Sequence, residues 1–228
     1  MKLRPQIIIF DVDGVLVDVR GSFHQSIIDT VHRFTGRRFP RTEVLKWKSR
    51  SGYNDDWKLS TAWINSLGVR AEYAEVKAEF QKFYWGENGR RANVTLEKWL
   101  LSRRALASLA KRAELGVFTG RTRHELKHTF DRHDAWGHFR TIVTMDDIEL
   151  LKPHPDGLLR ILAGRDPMTA LYLGDNIDDA LASEAAGVPF LGVLPRGSAA
   201  RRALGPRLRE NGALAILHSA AEVAKWLG

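Results

Sequence analysis

The chain has 228 residues, 44% hydrophobic and 27% charged, a composition typical of a globular protein of one or two domains that excludes global disorder. It has no cysteine for a disulfide or thiolate metal site, and no apolar stretch near the ~20 residues that span a bilayer, so we expect a cytoplasmic protein without a membrane partner. Its net charge is +8, and its basic residues occur as adjacent pairs spread along the chain. They do not form a nucleic-acid motif, so we favour a basic surface over nucleic-acid binding.

The first informative stretch is an apolar run at residues 7–10, followed by Asp11, Asp13 and Gly14. The run is short and rich in β-branched residues, which predicts a buried strand with Asp11 at its carboxyl end. Residues two apart in an extended segment face the same side. The spacing therefore offers a carboxylate nucleophile beside a carboxyl acid/base; the alternative is a polar turn that ends a strand.

The interval between this strand and the next, at 114–118, is predicted to be almost entirely helical. One helix is enough to connect two parallel strands, so the surplus indicates an inserted helical domain. We assign residues 18–93 to this domain, and residues 1–17 with 94–228 to the other. The predicted helices of the interval are 22–35, 55–67, 71–85 and 96–112.

From residue 114 onward, strand and helix patterns alternate. This alternation predicts an α/β fold in which helices cover both faces of a parallel sheet. The predicted strands are 114–118, 140–144, 169–173, 189–193 and, more weakly, 214–217. The predicted helices are 121–133, 156–163, 177–186, 198–204 and 219–227.

Two of the turns after these strands carry candidate phosphate ligands. Thr119 and Gly120 end the second strand, where a hydroxyl and glycine amides at a helix start can bind a phosphate oxygen. Lys152 precedes Pro153 and Pro155 on a rigid loop, where it can serve as a point charge. The alternatives are a common strand-to-helix turn and an exposed lysine.

A second acidic stretch follows the apolar strand that ends at Gly174. Asp175 lies directly after it, and Asp179 lies at the start of the next helix, with Asp178 as a competing carboxylate. Carboxylates so placed suit Mg²⁺, although acidic residues also favour the first turn of a helix for its dipole alone. In an open α/β sheet, ligands bind outside the carboxyl ends of the strands, so all these motifs are expected at one edge.

The motifs and their order resemble those of the haloacid dehalogenase superfamily. The resemblance rests on Asp11-Val-Asp13-Gly14, Thr119-Gly120-Arg121, Lys152-Pro153, and Gly174-Asp175 with Asp179. It implies a Rossmann-like core and a mobile helical cap over the catalytic crevice. An aspartate at the position of Asp13 is typical of the magnesium-dependent phosphatases and phosphomutases, and is missing from the dehalogenases that attack carbon. The resemblance thus implies a phosphatase, of the phosphoglycolate phosphatase-like kind.

The resemblance also implies a role for each motif residue. Asp11 would attack phosphorus and form an aspartyl-phosphate, and Asp13 would protonate the leaving group and then deprotonate water. Mg²⁺ would be held by Asp11, the Asp13 backbone carbonyl and Asp175, with Asp179 as a direct or water-mediated ligand. The charge on the phosphate would be stabilised by Thr119, the Gly120 amide and Lys152.

The cap is expected to choose the substrate, a small phosphorylated metabolite. The loop at 48–58 places Arg50, Tyr53, Asn54 and Lys58 around a glycine, and these residues are the candidates for substrate contact. The alternative is an ordinary loop in which Asn54 or Asp55 caps the next helix. Further candidates near the start of the cap are Arg20, Ser22 and His24.

Three other possibilities stay open at this point. A phosphomutase of the same superfamily would return the phosphoryl group to a second position on its substrate, and a binding protein on this scaffold would not catalyse at all. Direct nucleic-acid binding is the third, and only the net charge supports it. The filled catalytic positions favour an enzyme over a binding protein. The chain is expected to act as a monomer or a homodimer.

Overall fold

The computed structural model describes residues 3–87, 89 and 91–228. The chain divides into two compact units, an α/β unit formed by Met1–Val17 with Trp99–Gly228 and a helical unit formed by Asp18–Lys98. It returns to the α/β unit at Trp99, whereas the sequence pattern predicted that this return would occur at residue 94. Among the described residues, no helix combines the length and hydropathy that a membrane-spanning segment needs.

The helices and strands are numbered here in chain order. They are β1 (Ile7–Phe10), β2 (Val17–Asp18), α1 (Phe23–Thr35), α2 (Arg41–Lys48), α3 (Asp56–Ser66), α4 (Tyr73–Trp85), β3 (Lys98–Trp99), α5 (Arg103–Ala110), β4 (Glu114–Phe118), α6 (Arg123–His133), β5 (Thr141–Val143), α7 (Asp156–Leu162), β6 (Ala170–Gly174), α8 (Ile177–Ala186), β7 (Phe190–Val193), α9 (Ala199–Glu210) and β8 (Ala213–Leu217). Short 3₁₀ turns connect several of them.

The α/β unit is built on a six-stranded sheet in the order β5-β4-β1-β6-β7-β8. Every neighbouring pair in it is parallel. In the register, Phe10 at the end of β1 lies opposite Val117 of β4 and Leu173 of β6. The residues that follow these three strands are therefore brought to one edge of the sheet.

The central strand β1 is buried on both faces, since each of its four side chains is 0% exposed. Ile7 and Ile9 belong to the core that β1 shares with α7 and α8. On the other face, Phe10 packs edge-on against Phe139, with ring centroids 6.2 Å apart, and Phe139 packs against Phe130 of α6. Helices thus cover both faces, which confirms the predicted α/β class.

The helical unit packs α1 against α2, α3 and α4 around an aromatic core. Phe23 of α1 lies 4.5 Å from Tyr84 and 6.0 Å from Phe80, measured between ring centroids. Trp57 and Trp63 of α3 are also buried. Large aromatic side chains supply much apolar area per residue, which suits a unit of this size.

Some element predictions were wrong. Helix α2 was missed because only Val44 is buried in it, so no apolar periodicity marks it. The helix predicted at 96–112 is confined to α5, with β3 before it. Helix α9 continues through Pro206 to Glu210, where the prediction ended it at 204. The helix predicted at 219–227 is a 3₁₀ helix over Ala220–Lys225.

Candidate active site

Two aspartates follow neighbouring strands of the α/β unit. Asp11 comes directly after β1 and donates its backbone N–H to Leu173 O at 2.8 Å, and Asp175 comes directly after β6. Gly14 turns the chain beside them with a positive φ of 75°. A Cβ at this glycine would lie 1.9 Å from Asp175 Oδ2, so the close approach of the turn to Asp175 requires glycine.

Lys152 joins this pair from the loop before α7. Its ammonium lies 3.0 Å from Asp11 Oδ1 and 2.7 Å from Asp179 Oδ1, and it donates to Phe118 O at 3.0 Å. Burial by itself would lower the pKa of Lys152, but the carboxylates of Asp11 and Asp179 raise it above its ordinary value. The ammonium therefore stays charged, although its side chain is 1% exposed.

Asp179, at the start of α8, is engaged by four donors. Oδ1 accepts from Lys152 Nζ and from the Tyr172 hydroxyl at 2.6 Å. Oδ2 accepts from the backbone N–H groups of Asp175 at 3.2 Å and Asn176 at 3.0 Å. Asp179 thus connects Lys152 to the loop that carries Asp175, and its fully buried charge is matched by hydrogen bonds.

The carboxylates outnumber the cations at this edge of the sheet. Burial raises the pKa of Asp11 to about 7; Lys152 opposes the shift, and the neighbouring Asp179 and Asp13 add to it. An added cation would relieve this excess of negative charge.

The oxygens at this edge suit such a cation. Asp11, Asp175 and Asp179 each offer a carboxylate oxygen, all within 4.8 Å of one another, and in the described part of the chain no other set of three or more His, Asp or Glu side chains converges in this way. An all-oxygen set fits a hard divalent ion such as Mg²⁺. Asp178 is buried but lies outside this set.

The predicted phosphate ligand Thr119 lies directly after β4, on the other side of β1. Its backbone N–H donates to Val143 O at 3.0 Å, and its hydroxyl accepts from the Arg121 N–H at 3.1 Å. The loop then passes through exposed Gly120 to Thr122, which caps α6 in a capping box with Glu125. Thr119 and Gly120 are therefore at the same sheet edge as Asp11.

Arg121 is a site residue that the sequence pattern did not reveal. It is 0% exposed in its side chain and forms an ion pair with Asp13, with Nη2 2.7 Å from Asp13 Oδ1. Arginine is mostly exposed in proteins, so burial at this position is unexpected. The available signal was its place directly after the Thr119-Gly120 turn.

Two of the predicted substrate residues, Arg50 and Tyr53, pack within the helical unit. The Arg50 guanidinium lies 4.6 Å from the centroid of the Trp47 ring, and Tyr53 packs edge-on against the same ring at 5.2 Å. Lys58 is exposed and Asn54 partly buried. The cap of α3 is Asp55, whose side chain accepts from the N–H groups at 57 and 58, as one of the alternatives expected.

The three residues near the start of the helical unit have different surroundings. Arg20 pairs with Asp18 at 2.6 Å. Ser22 is buried and donates to Glu97 Oε1 at 3.2 Å. Burial, with the nearby charges of Lys48 and others, lowers the pKa of His24 to about 3, so this imidazole is neutral near pH 7.

Comparison with known proteins identifies the relatives of this chain. It is 28% identical over 227 residues to an imidazoleglycerol-phosphate dehydratase of Phytophthora nicotianae, of which it spans about half (50%) while 93% of this chain is covered. It is 26% identical over 193 residues to the pyrophosphatase PpaX of Bacillus velezensis, with 83% of each chain covered.

A solved structure shows the same fold. A predicted phosphoglycolate phosphatase from Haemophilus somnus superposes with a TM-score of 0.75 at 18% identity, covering 97% of both chains. Residues 8–193 match the sequence model of haloacid dehalogenase-like hydrolases, a span that includes Asp11, Thr119, Lys152 and Asp179. The resemblance noted from the motifs is confirmed, and the chain belongs to the haloacid dehalogenase-like hydrolase family.

Proposed function

We propose that this hydrolase is a magnesium-dependent phosphatase that acts on a small phosphorylated metabolite through an aspartyl-phosphate. The observation that carries the proposal is the placement of Asp11 at the end of β1, with Lys152 3.0 Å from its Oδ1 and Asp13 two residues on. A carboxylate fixed in this way can attack phosphorus, and a second carboxyl is available for proton transfer. A pyrophosphatase among the relatives also cleaves a bond to phosphorus.

In the first step, a carboxylate oxygen of Asp11 bonds to phosphorus as the bond from phosphorus to the leaving oxygen breaks. Asp13 gives its proton to that oxygen, which leaves as an alcohol. Lys152, the Thr119 hydroxyl and the Gly120 amide stabilise the negative charge on the other phosphate oxygens. Lys152 also fixes Asp11, because one ammonium contacts both Asp11 and Asp179.

In the second step, water attacks the phosphorus of the aspartyl-phosphate. Asp13 takes the proton from the water, the bond from phosphorus to Asp11 breaks, and inorganic phosphate leaves. The site returns to its starting state with the proton on Asp13. One residue thus serves as acid and then as base, because the water attacks from the side of phosphorus that the leaving oxygen vacated.

Mg²⁺ is the cofactor that fits the carboxylate set of this site. Asp11, Asp175 and the Asp13 backbone carbonyl would hold it, with Asp179 acting through water because its oxygens already accept four hydrogen bonds. When bound, the ion offsets the repulsion between the carboxylates and the phosphate.

We further propose that the two units have separate roles. The α/β unit carries the chemistry, and the helical unit is the cap that selects the substrate through the loop at 48–58. Arg50, Tyr53, Asn54 and Lys58 are the residues proposed to contact it, since they concentrate polar and aromatic groups in one loop. The relatives suggest the panel to test: pyrophosphate, phosphoglycolate and an imidazole-bearing glycerol phosphate.

The test is release of inorganic phosphate from p-nitrophenyl phosphate and from this panel, with Mg²⁺ and then with EDTA. We expect release that needs Mg²⁺, abolished by Asp11→Asn with the fold retained by circular dichroism. A matched control is Asp131→Asn, a half-exposed aspartate on α6, which should leave the rate unchanged.

Trapping separates the alternatives. Acid-quenched wild-type protein should carry one phosphoryl group on the peptide that contains Asp11. A phosphomutase would also show this label but would isomerise a sugar phosphate with little net phosphate release. Turnover retained by Asp11→Asn, or a label on another residue, would overturn the proposal.

A further inference from the structure

The buried guanidinium of Arg121 is held from two directions. Nε donates to Asp13 Oδ1 at 2.8 Å, and Nη2 lies 2.7 Å from the same oxygen. On its other side, Nη1 donates to Thr129 Oγ1 of α6 at 2.6 Å. The backbone N–H of Arg121 is bound to Thr119 Oγ1. Arg121 is therefore held by α6 through its side chain and by its own loop through its backbone, in addition to its contact with Asp13.

The two oxygens of Asp13 differ in their surroundings. Oδ1 faces two guanidinium nitrogens, whereas Oδ2 has no hydrogen-bond partner within residues 3–87, 89 and 91–228. The Asp13 side chain is 30% exposed, while that of Arg121 is 0% exposed. Arg121 thus fixes one oxygen of the carboxyl group and leaves the other open.

This asymmetry determines where a proton can reside. A guanidinium has only donors and stays charged in proteins. The lone pairs of Oδ1 face its Nε and Nη2, so Oδ1 is not available to bind a proton as well. A neutral Asp13 would keep Oδ1 as the accepting carbonyl oxygen and carry its proton on Oδ2. In that arrangement the contact with Arg121 would be the same in both protonation states, and the carboxyl would not need to rotate between them.

We propose that Arg121 is the positioning residue of the proton-transfer group: it holds Asp13 through Oδ1, so that Oδ2 delivers and takes up the proton in both steps. This inference rests on the proposed phosphatase function and deepens it. Arg121 acts only through Asp13, and does not touch the reacting atoms.

Both proton transfers of the reaction use one atom, Oδ2 of Asp13. As the bond to the leaving oxygen breaks, the Oδ2–H proton moves to that oxygen and Oδ2 becomes a carboxylate oxygen. When water attacks the aspartyl-phosphate, one water proton moves to Oδ2 and restores the starting state. Preorganisation of this kind matters because a small misplacement of a catalytic group costs rate steeply.

The experiment uses the dependence of rate on the leaving group. An alkyl phosphate needs its leaving oxygen protonated, whereas p-nitrophenolate leaves without help. With Mg²⁺ present, we expect Arg121→Met to lower kcat/KM about 100-fold or more for an alkyl phosphate and less than about 10-fold for p-nitrophenyl phosphate. Arg121→Lys, which keeps the charge but not the two donors, should fall between wild type and Arg121→Met.

A double-mutant cycle separates positioning from packing. In the Asp13→Asn background, Arg121→Met should change kcat/KM for the alkyl phosphate by less than about threefold, because the group it positions is already gone. Independent, multiplicative losses would overturn the inference. So would an equal loss by Arg121→Met for both substrates.

A folding control keeps the test decisive. If Arg121→Met does not fold, Thr129→Val removes one hydrogen bond to the guanidinium and leaves Arg121 in place. It should produce a smaller loss with the same bias toward the alkyl phosphate, and an unbiased loss would count against the inference. Failure of the proposed function looks different, because the wild type would then release no phosphate from any ester.

Discussion

At the scale of single residues, Asp179 is the side chain that connects the others of the site. Its two oxygens accept from an ammonium, a phenol and two backbone N–H groups. A buried carboxylate is costly unless it is hydrogen-bonded, and here the bonds also fix Lys152 and the turn of Asp175. The Tyr172 hydroxyl is the one of these donors that a mutation can remove without changing shape.

Tyr172→Phe should destabilise the protein while leaving its packing intact. The hydroxyl donates to Asp179 Oδ1 at 2.6 Å, and burial beside that carboxylate raises the pKa of Tyr172 well above its ordinary value, so it stays a donor. Loss of a hydrogen bond to a buried charge costs about 1.5–3 kcal/mol. Urea unfolding in EDTA measures this cost. Tyr53→Phe is the control, and a cost below about 0.5 kcal/mol would contradict the prediction.

The site residues differ in how far the sequence could predict them. Asp11, Lys152 and Asp179 were predicted to lie at one sheet edge because each follows or precedes a clear strand, and the structure brings their side chains into contact. Arg121 and Tyr172 were not predicted. A buried arginine contradicts the usual exposure of that residue type, and a tyrosine within an apolar strand has the pattern of core packing.

At the scale of elements, the start of α3 depends on one side chain. Asp55 accepts from the backbone N–H groups at 57 and 58 at 2.8 and 3.1 Å, and from the Tyr73 hydroxyl at 3.1 Å. It thereby satisfies two N–H groups that the helix cannot, and it links α3 to the first residue of α4.

Asp55→Ala should therefore destabilise the helical unit. Loss of an N-cap costs about 0.5–2 kcal/mol, and the lost Tyr73 contact places the expected value near the upper end. Asp55→Asn keeps an accepting oxygen and should retain most of the stability. Chemical denaturation followed by tryptophan fluorescence is the measurement, since four of the seven tryptophans lie in this unit: Trp47, Trp57, Trp63 and Trp85. Equal losses for the two variants would show that capping is not the cause.

The elements that the sequence predicted best have sharp local signals at both ends. Strand β4 was predicted with its observed bounds, and so was α8, which begins after Asn176 in a capping box and ends at Gly187 with a positive φ. Helix α2 has neither a capping side chain nor an apolar stripe. Helix α9 contains Pro206, which sequence patterns assign to a helix end.

At the scale of the whole molecule, the excess of basic residues affects how stability depends on pH, because the histidine His24 lies near the cations Lys48 and Arg41. His24 has its pKa lowered to about 3 by burial, with Lys48 and Arg41 adding to the effect. In the unfolded chain a histidine binds its proton near pH 6.5. The folded state therefore binds fewer protons between these values, so the stability from neutral His24 is complete above pH 6.5 and is lost as the pH falls toward 3.

His24→Gln should flatten the acid side of the stability profile. One proton gives a slope of up to about 1.4 kcal/mol per pH unit, so between pH 7 and 5.5 the wild type should lose about 1 kcal/mol more than the variant. The free energy of unfolding from urea titrations at both pH values is the measurement. His128→Gln, at an exposed histidine of α6, is the matched control. Parallel profiles for wild type and His24→Gln would contradict the prediction.

The way the chain leaves and re-enters the α/β unit has an evolutionary consequence. Leu100 donates its backbone N–H to Leu16 O at 2.8 Å, and β2 pairs with β3 beside this bond. Two chain ends held one hydrogen bond apart can be joined by a few residues or by an entire domain, because loop closure costs little more as a loop lengthens. The insertion can therefore be lengthened, exchanged or lost through gene rearrangement while the sheet and its carboxylates are inherited unchanged.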